Sequence, residues 1–226
     1  MIRRHEIEEY HGRIPSEGWA CDIDNTIAAT APGLFERMDE RYPRMPEDKH
    51  LSLIGLIKKY GYTVNIPQWN TPDARAWQEE VLKDPEFYRT LPSIEGAADV
   101  LARFRERMPF TTFITARPET TVEATERWLG DRFPRLPIIA KPSRLDVSKN
   151  NEWKALVLEA LYPRVKGIID DDAQLVKELS PDYKGVVILY GHEEVSHDHI
   201  EAYACLTWKD VERKLEELAT IRVASI

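Results

Sequence analysis

The chain lacks the features that mark disulfide-stabilised, membrane-spanning and secreted proteins. Its 226 residues include only two cysteines, Cys21 and Cys205, which are too few for a disulfide framework. No apolar run approaches the roughly 20 residues that a membrane-spanning helix needs. Residues 1–6 lack the apolar centre of a signal peptide. These absences predict a protein of the reducing cytoplasm that has no membrane partner.

Positive charge is also scarce. The chain has 31 Lys and Arg against 39 Asp and Glu, which gives a net charge of −8. That balance counts against a general affinity for nucleic acid or for anionic membranes, although it is compatible with a local basic patch around a phosphate site. The length predicts one domain with a sizeable insertion, or two small domains.

Strand-like and helix-like segments alternate along most of the chain. Short apolar, β-branched or aromatic runs predict strands, which lie at 19–22, 110–115, 136–140, 165–170 and 185–190. Helical patterns lie between them and after the last, at 93–108, 118–130, 153–161 and 173–179 and in a final helix that begins at Thr207. This order predicts an α/β, Rossmann-like fold with a mainly parallel sheet and helices on both faces.

Residues 29–90 do not follow this alternation. Prolines divide the segment into short pieces, of which 33–41, 50–60 and 71–83 have helical patterns. Thr71 and Pro72 form a typical helix start. Because the segment is far longer than an ordinary loop after a strand, we expect a helical insertion between residues 1–28 and residues 91–226.

The segment Asp22-Ile23-Asp24-Asn25-Thr26 follows the first predicted strand. Two acids so close together repel each other unless a cation or a proton lies between them. The segment suits either an acidic turn, since Asp and Asn are common turn residues, or a site with a nucleophile, a general acid and a metal.

Polar residues also end two other predicted strands, at Thr115 and at Asp170-Asp171. The carboxyl ends of parallel strands lie along one edge of a sheet, so these side chains and the first acidic segment can converge. Lys154 or Lys149 could complete the group. Carboxylates, a hydroxyl and an ammonium are the groups that phosphoryl transfer with Mg²⁺ requires.

These segments, in this order, resemble the four motifs of the haloacid dehalogenase-like (HAD) superfamily. Together they cover residues 19 to 172, and the ordered set is far more specific than any single motif. The matching residues are Asp22-Ile23-Asp24-Asn25-Thr26 for the first motif, Phe113-Ile114-Thr115 for the second, Lys154 for the third, and Ile168-Ile169-Asp170-Asp171 for the fourth.

The resemblance implies a phosphatase mechanism. Asp22 would attack phosphorus and form an aspartyl-phosphate, and Asp24 would protonate the leaving oxygen and then activate water. An acid at the second position favours phosphate esters over haloacids, because an alkoxide leaving group needs a proton. Mg²⁺ would bind Asp22, the backbone carbonyl of Asp24, and Asp170 or Asp171.

The resemblance also implies phosphate-binding groups. Thr115 would hydrogen-bond a phosphoryl oxygen, and Lys154 would offset negative charge there, with Lys149 as its competitor. The backbone amides of Ile23, Asp24 and Ala116 would help to cradle the phosphoryl group.

Three polar residues near these motifs have two interpretations each. Asp172 ranks third as a metal ligand because it suits the N-cap of the next helix. Thr26 suits a substrate contact or a turn cap. Arg117 suits a substrate contact or an ion pair with a nearby acid.

The insertion at 29–90 resembles the helical caps of this superfamily, which implies a small phosphorylated metabolite as the substrate. Residues 84–97 and 115–118 are similar to the 5′-nucleotidase and deoxyribonucleotidase-like branch, which favours a nucleotide. The alternatives are a polynucleotide-end phosphatase, a phosphotransferase, and a non-catalytic binding module with the same fold. The acidic net charge counts against the polynucleotide. The sequence leaves the oligomeric state open.

Two other groups of residues have structural interpretations. His192, His197 and His199 lack a recognised zinc spacing, so they predict a solvated loop. The aromatic residues of the insertion are expected in its core, with Tyr62 and Trp69 as the exceptions that suit a substrate platform: Tyr42, Tyr60, Tyr62, Trp69 and Trp77.

Overall fold

A computed structural model describes residues 4–60, 65–130, 132–196 and 199–223, and it contains a six-stranded sheet in the order β3-β2-β1-β4-β5-β6. All neighbouring strands are parallel, which confirms the α/β, Rossmann-like fold. The strands are β1 Gly18–Cys21, β2 Phe110–Pro118, β3 Ile138–Lys141, β4 Val165–Asp170, β5 Val186–Tyr190 and β6 Glu201–Cys205.

Helices cover both faces of the sheet. The α-helices in the described residues are α1 Arg4–Arg13, α2 Thr30–Arg41, α3 Leu53–Tyr60, α4 Pro72–Val81, α5 Pro85–Arg89, α6 Ala97–Arg103, α7 Val122–Leu129, α8 Asn150–Leu161, α9 Gln174–Glu178 and α10 Trp208–Val223. Alternate residues of the strands pack on opposite faces, so β1 buries Trp19 and Cys21 against α6, α7 and α10, and Ala20 against α1, α8 and α9. Within the described residues, none of the helices is both long and apolar enough to span a membrane.

Residues 30–60 and 65–81 form a helical segment with its own apolar cluster, which contains none of the side chains of the sheet. The cluster consists of Met38, Leu56, Ile66, Trp69 and Ala74. Asp48 is buried beneath it and accepts hydrogen bonds from Lys59 Nζ at 2.5 Å and from the Tyr60 hydroxyl at 2.6 Å. Thr71 caps α4, as its sequence predicts, by accepting a hydrogen bond from the amide of Ala74.

The helix α5 packs on the sheet, as does Val81 at the end of α4. The α5 residues Phe87 and Tyr88 belong to the apolar cluster on the sheet, together with Trp128 of α7. The chain therefore returns to the α/β core between the end of α4 and α5, before the predicted end of the insertion at residue 90.

Several predicted boundaries were wrong. The helix expected over 93–108 is only α6, because Ser93 pairs with Ala28 in an isolated bridge and Gly96, at φ 82°, starts the helix. The strand β2 continues through Pro118 instead of turning at residue 116. The strand β6 was not expected, since its half-exposed residues Glu-Ala-Tyr-Ala-Cys lack a β-branched pattern.

The expectation that Trp69 forms a substrate platform was also wrong. Its side chain is buried in the cluster of the helical segment, and its indole N–H donates to the carbonyl of Tyr42 at 3.0 Å. Tyr62 and His197 lie outside the described residues. His192 is half-buried, with Nε2 at 2.7 Å from the carbonyl oxygen of Asp171, and His199 is exposed.

Candidate active site

The site lies at the carboxyl edge of the sheet. The strand β1 lies between β2 and β4, so the carboxyl ends of these strands are adjacent: Asp22 follows β1, Asp170 ends β4, and Thr115 lies near the end of β2. The amide of Asp22 donates to the carbonyl of Ile169 at 2.8 Å, which holds the backbone of Asp22 against β4. The geometry thus brings the three predicted strand-end groups to one edge.

Lys154 lies between two of these carboxylates. Its Nζ is 2.9 Å from Asp22 Oδ1 and 2.6 Å from Asp170 Oδ2, and all three side chains are buried. The competing Lys149 is exposed and pairs with Glu152 at 2.6 Å. Because α8 begins at Asn150, Lys154 lies in its second turn and faces the sheet.

Three carboxylates at this edge could hold a metal ion. One oxygen each from Asp22, Asp170 and Asp171 lies within 4.8 Å of the other two. Asp172 instead accepts hydrogen bonds from the amide of Gln174 at 2.9 Å and from the side chain of Asn151 at 2.7 Å. Three acids share one buried lysine, so a divalent cation with a preference for oxygen ligands fits the charge and the donor set.

The buried charges shift one another's pKa values. Burial raises the pKa of Asp22 to about 7, with Lys154 opposing the shift and Asp170 adding to it. Burial also raises the pKa of Asp171 well above its ordinary value, and the charge of Asp22 adds to this. For Lys154, burial acts to lower the pKa, but the charges of Asp170 and Asp22 outweigh it and raise the value. The carboxylates are therefore short of positive charge.

Asp24 extends from the turn that follows β1, with a quarter of its side chain exposed. One oxygen accepts a hydrogen bond from the Thr30 hydroxyl at 2.5 Å. Arg117 donates from Nη2 at 2.8 Å and from Nε at 3.0 Å, so the guanidinium grips the carboxylate with two nitrogens. The turn itself depends on Asn25, which has a φ of 56° and accepts a hydrogen bond from the amide of Ala31.

Arg117 is fixed by its surroundings. Its side chain is only 1% exposed, and its guanidinium lies over the rings of Tyr88 at 4.2 Å and Trp128 at 5.7 Å. It also donates to the Thr125 hydroxyl at 3.1 Å. Of the two interpretations from the sequence, the ion pair with a nearby acid is present in the structure. Since Tyr88 belongs to α5, this helix supports Arg117, which in turn holds Asp24.

The remaining predicted residues lie close to this edge. Thr115 is buried, and its Oγ1 accepts a hydrogen bond from the amide of Arg117 at 3.2 Å. Ala116 is partly exposed and borders the cavity described below. Ile23 is buried in the core, and its carbonyl accepts from the amides of Ile27 and Ala28. Thr26 is fully buried, with Oγ1 at 3.4 Å from Asp22 Oδ2.

A cavity of about 830 Å³ opens over the site. One wall contains residues of the sheet edge, including Asp22, Asp24 and Lys154. The opposite walls come from the insertion and from the loop after β3, and their charged residues were not predicted from the sequence: Glu79, Lys83, Lys141, Arg144 and Asp146. These residues belong to no motif, because tertiary packing brings them together. Of these residues, only Lys141 had a position in the sequence that could have indicated the site, because it directly follows the predicted strand at 136–140.

No protein-family model matches the sequence, and no curated protein matches it. Among solved structures, similar ones include a HAD hydrolase of family IA, variant 3, from Entamoeba histolytica (15% identity, 90% of this chain and 99% of that chain, TM-score 0.54). A putative HAD-hydrolase from Bacillus subtilis bound to magnesium has 14% identity, covering 89% and 99%, with a TM-score of 0.53. A putative β-phosphoglucomutase from Thermotoga maritima has 17% identity, covering 89% and 99%, with a TM-score of 0.51. At these identities the likeness concerns the fold alone, which this chain shares with these three structures.

Proposed function

We propose that the protein is a Mg²⁺-dependent phosphatase that hydrolyses a small phosphomonoester through an aspartyl-phosphate on Asp22. The observation that carries this proposal is the position of Lys154 Nζ, 2.9 Å from Asp22 and 2.6 Å from Asp170 at the floor of the cavity. The likeness of the fold to HAD-superfamily hydrolases supports the same chemistry.

The charge balance of the floor supports a divalent cation. Asp22, Asp170 and Asp171 would hold Mg²⁺ together with the backbone carbonyl of Asp24. When bound, the ion would supply positive charge against the phosphoryl oxygens. Lys154 would bind the same oxygens, with Thr115 and the amides of Ile23 and Ala116 completing the phosphate-binding set.

Asp22 and Asp24 divide the chemistry between them. In the first step Asp24 carries a proton: an Asp22 oxygen attacks phosphorus while the bond from phosphorus to the ester oxygen breaks, and Asp24 gives its proton to that oxygen and becomes a carboxylate. Asp24 then takes a proton from water as the water oxygen attacks phosphorus. The bond from phosphorus to Asp22 breaks, and inorganic phosphate leaves. Arg117 and Thr30 hold Asp24 in place through both steps.

We propose further that residues 29–90 form a cap over a core made of residues 1–28 and 91–226. Glu79, Leu82 and Lys83, at the end of α4 and just beyond it, border the same cavity as Asp22, and this supports a role in substrate selection. Arg117 also borders the cavity and stays a candidate for substrate contact, as does the buried Thr26 beside Asp22.

Two substrate classes have separate support. The local similarity at 84–97 and 115–118 favours a nucleotide, whereas the fold likeness to a putative β-phosphoglucomutase favours a sugar phosphate. That likeness also favours the phosphotransferase alternative, in which an acceptor other than water takes the phosphoryl group from Asp22. The two cysteines are free and buried, which suits a reducing compartment such as the cytoplasm.

Hydrolysis of a generic aryl phosphate tests the proposed function. We expect turnover with Mg²⁺, none after treatment with EDTA, and a loss of at least about 10⁴-fold in Asp22→Asn. The exposed Asp182→Asn is the matched control and should keep full activity. Full activity in Asp22→Asn would exclude the covalent mechanism, and tight binding of phosphate without turnover would favour the non-catalytic alternative. Added alcohols would give new phosphate esters if the protein is a phosphotransferase.

A further inference from the structure

Lys141 is a buried lysine in the cavity wall, at the end of β3, that none of the steps above uses. We propose that it binds a second anionic group of the substrate, so that the cavity selects small phosphomonoesters that carry another phosphate or a carboxylate. This inference rests on the proposed phosphatase function and narrows its substrate class.

No carboxylate of the described chain contacts the ammonium of Lys141, although the charge of Asp146 acts on it from a longer distance. The residue is only 4% exposed, and its Nζ donates to the carbonyls of Leu145 at 3.1 Å and Asp146 at 3.3 Å. No carboxylate oxygen of the described chain lies within 4.0 Å of this nitrogen. An ammonium has three N–H donors, so one is left for a ligand. A buried cation without an anion is costly, which a bound anionic group would relieve.

The other cations of the cavity wall differ from Lys141 in this respect. Each of them has a carboxylate partner in the structure: Lys83 with Glu79, Arg144 with Glu6, Arg117 with Asp24, and Lys154 with Asp22 and Asp170. An anionic group that enters the cavity beyond the catalytic floor therefore finds at Lys141 an ammonium that contacts only backbone carbonyls.

The sheet register separates Lys141 from the reaction centre. Lys141 pairs with Pro118 of β2, and Asp22 follows β1, two strands away from β3. Since neighbouring strands are about 4.8 Å apart, the two backbone positions are roughly 10 Å apart across the sheet. The Nζ is directed to the carbonyls of the loop after β3. This spacing suits two anionic groups joined by a short carbon chain, one at each end of the cavity.

A second unsatisfied group lies in the same wall. The side-chain oxygen Oδ1 of Asn150 is buried and has no hydrogen-bond partner in the described chain. Buried polar atoms are nearly always paired, so this acceptor suits a hydroxyl or N–H of a ligand. Lys141 and Asn150 together fit a hydroxylated molecule with two anionic groups.

A matched pair of substrates tests the role of Lys141: 1,4-butanediol monophosphate and 1,4-butanediol bisphosphate. We expect wild type to have a KM about tenfold lower for the bisphosphate. Lys141→Gln should abolish this preference while changing kcat and KM for the monophosphate less than about twofold, and Lys141→Arg should retain part of it. The control is Lys149→Gln, at an exposed lysine paired with Glu152, and it should keep the wild-type preference.

Three results would overturn the proposal. Wild type could show no preference, or Lys141→Gln could raise KM equally for both substrates, which would make Lys141 only an anchor of the loop after β3. A 3′-phosphorylated oligonucleotide could be preferred to the bisphosphate in a Lys141-dependent way, which would replace the small molecule by a polynucleotide. If wild type hydrolyses no phosphate ester, the phosphatase function fails. In that case, calorimetric measurement of how tightly wild type and Lys141→Gln bind the two butanediol compounds tests the role of Lys141 separately from catalysis.

Discussion

Two buried carboxylates in this molecule each contact a lysine, and they behave in opposite ways. At the sheet edge, burial raises the pKa of Asp22 although Lys154 lies 2.9 Å away. In the helical segment, hydrogen bonds from Lys59 and Tyr60 lower the pKa of Asp48, although Asp48 is fully buried too. Burial is the largest cause of the shift at Asp22, whereas at Asp48 the two hydrogen bonds outweigh it.

The difference lies in the balance of charge. At the sheet edge, three carboxylates share the buried Lys154. Asp48 is one carboxylate with one ammonium and one hydroxyl, and its partner Lys59 keeps 45% of its side chain in solvent. The sheet-edge carboxylates require another cation, whereas the negative charge of Asp48 is already balanced by Lys59. A buried ion pair alone is weak evidence for function, and an unbalanced one at a cavity is stronger.

Lys154→Met should have the largest effect on this contrast. The substitution leaves Asp22 and Asp170 buried without their cation, and breaking such a pair costs about 3–5 kcal/mol. We expect a large fall in the thermal midpoint without Mg²⁺, and a partial recovery with Mg²⁺, since the ion would replace the lost charge. Thermal unfolding with EDTA and with Mg²⁺ measures both effects.

The control for this prediction is Lys59→Met, whose half-exposed ammonium should matter less and whose midpoint should not respond to Mg²⁺. If Lys154→Met is as stable as wild type in EDTA, the sheet-edge carboxylates do not repel one another as proposed. If the variant does not fold at all, refolding with added Mg²⁺ measures the same recovery.

Asp48→Asn should affect stability but not chemistry. The change removes the acceptor of a charged hydrogen bond from Lys59 and weakens the one from Tyr60, which join α3 to the turn that contains Asp48. We expect the thermal midpoint to fall by roughly 2–8 °C. Hydrolysis of an aryl phosphate per folded molecule should stay within about twofold of wild type, because Asp48 does not border the cavity. A loss of kcat without a loss of stability would contradict the structural role.

The sequence predicted the sheet-edge group better than the rest of the site. Asp22 follows β1, Asp170 ends β4 and Thr115 lies near the end of β2, and a parallel sheet brings such positions to one edge whatever the loops do. The choice between Lys154 and Lys149 depends on where α8 begins, which helix patterns predict only to within a few residues. Lys141 was missed because its role depends on the loop that folds back over it.

The fold was predictable for similar reasons, and the errors in its prediction have local causes. A mainly parallel sheet follows from the alternation of strands and helices, and the parallel pairings of β1 to β5 confirmed it. The edge strand β6 has one exposed face and few β-branched residues, so its pattern was weak. Trp69 suited a substrate platform because it lies near prolines and outside the helical patterns, but it is a buried member of the segment's own cluster.

Lowering the pH should produce the smallest and most specific effect, a change in the stability that Asp48 contributes. The pKa of Asp48 is lowered from 3.8, so its contribution to stability is present above that value and is lost as the pH falls through the lower, folded value. Asp48→Asn is neutral at every pH. The difference in thermal midpoint between wild type and this variant should therefore be constant from pH 7 to about pH 5 and should shrink below about pH 4. Measurements from pH 7 to pH 3 check this, with Asp182→Asn as a variant that should show no difference at any pH. A difference that persists unchanged at pH 3 would mean that packing, and not the charge of Asp48, stabilises the helical segment.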